Sequence, residues 1–65
     1  MQQENPSRDL NPFQVIQVTS YMEQQGRREY RMLYNGPDSI WVYYGPVNMY
    51  FIFDKDCQIV DIQVD

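Results

Sequence analysis

The residues able to do chemistry in this chain are few: one cysteine, nine carboxylates, five basic residues and no histidine. Without histidine no Ser–His or Cys–His pair can form, which removes the commonest route to an activated nucleophile. Cys57 stands beside Asp56 and near Asp54, whereas an activated thiolate needs cations or a helix N-terminus around it. It reads as an inert turn residue. A single cysteine also excludes an internal disulfide and a cysteine-based metal cluster. Asp54 and Asp56 are the right type for a hard cation, but Asp-Lys-Asp-Cys-Gln lacks the further oxygens and the glycine of an EF-hand loop. Turn propensity accounts for both.

Paired carboxylates could still work as acid and base, given a pocket to hold substrate. A domain of 65 residues rarely encloses one, and no phosphate-cradling glycine loop is present. No catalytic, metal-binding or cofactor-binding residue is expected, and the chain is not expected to be an enzyme.

Composition narrows the remaining classes. At 43% hydrophobic and 15% aromatic residues the chain is too apolar for disorder. One domain is the ceiling for this length, and its one Trp, six Tyr and three Phe supply a core that chain length alone would not. The net charge of −4 is unevenly placed. Glu4, Asp9, Glu23 and Glu29 are cancelled by Arg8, Arg27, Arg28 and Arg31, whereas Asp38, Asp54, Asp56, Asp61 and Asp65 face only Lys55. The excess therefore lies in residues 35–65. Such a field repels phosphate and anionic lipid and favours a basic partner, although mere solubility is the simpler role for it.

The elements that position these residues are legible in part. Residues 1–9 are polar and interrupted by Pro6, and read as a flexible tail preceding a single domain over 10–65. Over residues 10–26, Asn11 is a capping residue and Pro12 fits the first helical position. Gln14 has the spacing of a capping box and Leu10 with Val15 that of a hydrophobic staple. Gly26 offers a left-handed stop, with Arg27 and Arg28 at the negative end of the dipole. β-Branched residues argue for a strand here, but the end signals decide for a helix. Its expected apolar side is Val15, Ile16, Val18, Thr19 and Met22, with Gln14, Gln17, Gln24 and Gln25 opposite and Phe13 and Tyr21 toward the polar side.

Period-2 patterns follow over 29–34, 40–44, 47–53 and 58–64, separated by Asn35-Gly36-Pro37-Asp38, Gly45-Pro46 and Asp54-Lys55-Asp56-Cys57. In the last of these turns Cys57 occupies the position where such hairpins carry a left-handed glycine. The predicted fold is α+β: one N-terminal helix packed on a four-stranded antiparallel β-meander.

One phase of the strands is uniformly apolar: Tyr30, Met32, Tyr34, Ile40, Val42, Tyr44, Val47, Met49, Phe51, Phe53, Val60, Ile62 and Val64. It is assigned to the helix-covered core. The other phase is mixed, with Arg31, Leu33, Trp41, Tyr43, Asn48, Tyr50, Ile52, Ile59, Asp61 and Gln63, and one short helix cannot cover both faces of a sheet. Exposed aromatic clusters on small domains mark contact surfaces, and Trp and Tyr concentrate binding energy. Sheet twist or the tail folding back would be the alternative fate of these rings.

The expected function is that of a small acidic, non-enzymatic binding or regulatory protein. It docks on a protein partner, favouring a basic surface, or on its own copy as a homodimer. Trp41, Tyr43, Tyr50 and Ile52 make the contact, and Asp38, Asp54, Asp56 and Asp61 steer it. A second class is an inhibitor whose carboxylates imitate a nucleic-acid backbone, and a third is a structural subunit of a larger assembly. Nucleic acid itself is not an expected partner. Aromatic sheets that stack bases are ringed with basic charge, and Arg27, Arg28 and Arg31 can pair with Glu23 and Glu29. No run approaches the roughly 20 residues of a membrane span, and the N-terminus lacks the apolar core of a signal peptide, so a cytoplasmic location is the default expectation.

Overall fold

A computed structural model describes residues 10–65; the tail expected over 1–9 lies outside the described residues. One helix, α1 (Pro12–Gln24), precedes four strands: β1 (Arg31–Gly36), β2 (Ser39–Tyr44), β3 (Val47–Phe53) and β4 (Ile59–Val64). The strands pair antiparallel in the order β1-β2-β3-β4, the α+β meander expected.

Both helix ends follow the local chemistry. Asn11 is extended, and its Oδ1 accepts from the Phe13 N–H at 2.8 Å, with Pro12 opening the helix. Its Nδ2 reaches Cys57 Sγ at 3.5 Å, which ties the cap to the last hairpin. At the far end Gly26 takes φ 76 and donates to Glu23 O, while Arg27 N–H donates to Met22 O. Those two bonds are a Schellman stop, closing carbonyls the helix leaves open.

The helix sits on the sheet in a different rotation from the one predicted. Gln14, Val18 and Met22 form its buried line, with Val15 and Tyr21 packed beside them, while Ile16 is 57% and Phe13 68% exposed. Two contacts set this rotation. Tyr21 meets Phe51 edge-on, with ring centroids 5.5 Å apart, and this draws it in from the polar side. Gln14 is not a capping-box residue. It is 3% exposed, and its Nε2 donates to the Pro37 carbonyl at 3.1 Å, joining the helix start to the first hairpin turn. A glutamine can occupy this buried site because its amide is satisfied there.

The turns set the register. Gly45 takes φ 54 at the first position of the two-residue connection Gly45-Pro46, as a type II′ hairpin requires. Between β3 and β4, Asp54 Oδ1 accepts from Asp56 N–H and Gln58 N–H at 2.9 Å each, and Cys57 takes φ 62, the left-handed position predicted. First of the strand differences, β1 begins two residues later than expected, at Arg31, although Tyr30 still packs against the core. The second lies in β4, where the pairing slips between Ile52↔Asp61 and Phe53↔Ile59. Val60 is the extra residue of a bulge and is 60% exposed, whereas Ile59 turns in against the core. The assignment of these two residues to faces is thereby reversed.

The core consists of Val18, Met22, Ile40, Val42, Met49, Phe51 and Phe53. All five of its strand residues come from β2 and β3. A helix of 13 residues covers the central strands and leaves Tyr34 and Val64, on the same phase, exposed at the two edges.

Candidate functional site

The sheet face away from the helix is built by alternation along each strand. Register arranges it in three rows. Arg31, Tyr43 and Asn48 lie across one end, where Asn48 and Asp65 exchange backbone hydrogen bonds. Leu33, Trp41, Tyr50 and Gln63 form the middle row, and Ser39, Ile52 and Asp61 the third. Trp41, Tyr43, Tyr50 and Ile52 are thus brought together as predicted from their phase, with Asp61 at the margin.

The rings hold one another in place. Trp41 stacks on Tyr50 across the β2–β3 pair, with centroids 6.1 Å apart and planes inclined by 21°, and Tyr43 leans on Trp41 at 5.4 Å. The indole Nε1 donates to Asn48 Oδ1 at 3.0 Å. With its one polar atom already bonded, the indole can be covered without stranding a donor. All four residues are half-buried, and among the described residues no other element packs over them: α1 lies on the opposite face. A preformed aromatic surface with restricted rotamers loses little entropy when a partner closes over it.

The remaining predicted carboxylates do not join this face. Asp38 lies exposed in the β1–β2 turn, its carbonyl accepting from Phe53 N–H at 2.9 Å. Asp54 and Asp56 belong to the β3–β4 turn, where Asp54 is occupied by two backbone N–H groups. They share one end of the molecule with the start of the helix. Asp61 accepts from Ile62 N–H at 2.9 Å and from Gln63 Nε2 at 3.2 Å, so it is positioned, though still exposed. Among the described residues no three His, Cys, Asp or Glu gather as metal ligands.

Two features escaped the sequence reading. Asn48 was placed on this face but not recognised as the anchor of Trp41; the signal is its diagonal position across the two-residue hairpin. At the helix exit, Arg27 lies over the Tyr44 ring at 4.5 Å. Beside it a groove of about 460 Å³ runs between Arg28, Tyr30, Arg31, Tyr43 and Tyr44. This groove, which Glu29 also lines, continues into the Arg31–Tyr43 corner of the aromatic face, so Arg31 borders the rings on the β1 side. No helix among the described residues is long and apolar enough to cross a membrane.

No family model, no curated protein and no solved structure matches this chain.

Proposed function

We propose that this chain is a small, acidic, non-enzymatic binding protein of regulatory type that docks on protein through its open sheet face. The observation carrying this is the Trp41–Tyr50 stack with its indole N–H bonded to Asn48, on the face that α1 does not cover. Trp41, Tyr43, Tyr50, Ile52 and Leu33 form the apolar centre, and Arg31, Asp61 and Gln63 form a polar rim, the anatomy of a small interface. Asp38, Asp54 and Asp56 lie off the contact and contribute a long-range field that draws in a basic surface. On this reading the protein works in the cytoplasm, where a lone thiol such as Cys57 stays reduced.

Mimicry of a nucleic-acid backbone has less support, because Asp54 is committed to its own turn and Asp61 to its neighbours. The two classes separate by experiment. Substituting Trp41 and Tyr43 by Ser should abolish association while far-UV circular dichroism and cooperative unfolding persist. Collapse of the fold in these variants would make the rings core residues and end the proposal. Association that survives the substitutions but vanishes with salt would favour the carboxylates instead.

A further inference from the structure

We propose that the occupant of this face is a second copy of the chain, seated by a two-fold axis that runs parallel to the strands. This deepens the docking function proposed above and rests on it. The argument is the placement of charge around the rings. On the β1 margin the face carries Arg31; on the β4 margin it carries Asp61 and, at the end of the ladder, Asp65. Trp41, Tyr43, Tyr50 and Ile52, which carry no charge, lie between on the two central strands.

Two face-to-face arrangements close with two-fold symmetry and keep the strands of both sheets roughly aligned, as packed sheets prefer. An axis across the strands would lay β4 over β4 and bring Asp61 and Asp65 of both copies together, with each Arg31 left far from any of them. An axis along the strands lays β1 over β4. Arg31 of each copy then faces Asp65 of the other, twice by symmetry, with Asp61 two rows further along the same margin. Trp41 meets the second copy's Tyr50 and Tyr50 its Trp41, so both stacks extend across the interface. The face is therefore self-complementary in one orientation only.

Size sets the strength. Four strands about 4.8 Å apart and three rows of alternating residues cover roughly 400 Å² of flat footprint per copy. A standard interface buries about 800 Å² of accessible surface per partner, so side-chain relief brings this one only toward the low end. The dimer should form and dissociate with concentration and not be permanent.

The test uses sedimentation velocity on the full chain across micromolar to millimolar concentration. The wild type should double in mass with concentration. Arg31→Asp makes both margins acidic, and the pair Asp61→Arg with Asp65→Arg makes both basic. Each variant alone should stay folded and self-associate at least about tenfold more weakly. Mixed in equal amounts, the two should form a heterodimer that added salt weakens. A wild type that remains monomeric at every concentration, or variants that do not pair on mixing, would overturn the self-pairing. In that event Trp41→Ser separates the two proposals: a folded variant leaves the docking face standing for another protein, and an unfolded one removes both.

Discussion

Replacing Cys57 tests the turn on which the last hairpin depends. Cys57 has φ 62, inside the left-handed region that an L-residue enters at a cost of about 1–2 kcal/mol. Its thiol is half-buried and receives only a weak 3.5 Å contact from Asn11 Nδ2. Cys57→Ala removes those contacts and keeps the backbone strain. Cys57→Gly removes the same contacts and relieves the strain, at the cost of roughly 0.4–1 kcal/mol for the greater freedom of glycine in the unfolded chain. Their difference isolates the backbone term, with Gly more stable than Ala by about 0.5–1 kcal/mol. For a domain of this size that is a rise of a few degrees in Tm. Urea unfolding of both variants at constant slope measures it directly. An alanine variant as stable as the glycine variant, or more so, would refute the left-handed turn and with it the register of β4.

Two further substitutions probe what joins helix to sheet and strand to strand. Asp54→Ala leaves the exposed Asp56 and Gln58 N–H groups that share its Oδ1 to water, and should cost about 0.5–1.5 kcal/mol in thermal unfolding. Asp54→Asn keeps an acceptor there and should recover most of it. Gln14→Ala removes the bond to the Pro37 carbonyl and opens a hole beside Val18, for a loss of about 1–2 kcal/mol. Amide exchange in the first helical turn and the β1–β2 hairpin should rise together.

The parts of this fold that were legible in the sequence are those decided within a few residues. Asn11 and Pro12 open the helix and Gly26 closes it, while Gly45-Pro46 and the Asp54–Cys57 turn divide the strands. Each acts through its own backbone preferences. The central strands keep strict alternation, so Ile40, Val42, Met49, Phe51 and Phe53 were identifiable as core, and Trp41 and Tyr50 as members of the other phase, whose pairing only the structure gives. What escaped depends on partners distant in sequence. The helix rotation is set by Tyr21 against Phe51 and by Gln14 against Pro37, contacts that no periodicity of a 13-residue segment records. The Val60 bulge inverts Ile59 because the hairpin geometry, not the local pattern, decides which residue is left unpaired. The carboxylates grouped as one acidic set divide between a turn end and a sheet margin for the same reason.

How the sheet treats its edges bears on the proposed docking. A four-stranded sheet has two open edges, and edge-to-edge pairing is the cheapest way for such a chain to aggregate. Here the pairing of each edge strand is interrupted by a register shift, at Tyr34/Gly36 in β1 and at Ile52/Phe53 opposite β4. Arg31 lies on one edge strand and Asp61 on the other. Both devices bend or charge an edge and discourage extension of the ladder. The open face has no such protection at its centre. A sheet selected only for solubility would carry Lys or Glu at the positions of Trp41, Tyr43 and Tyr50, where cross-strand ion pairs cost nothing to place. Edges that resist pairing beside an aromatic face are what the proposed docking requires, because they leave a single geometry for it. In the self-pairing proposed above, that geometry is sheet against sheet, with Arg31 and the β4 carboxylates setting the orientation.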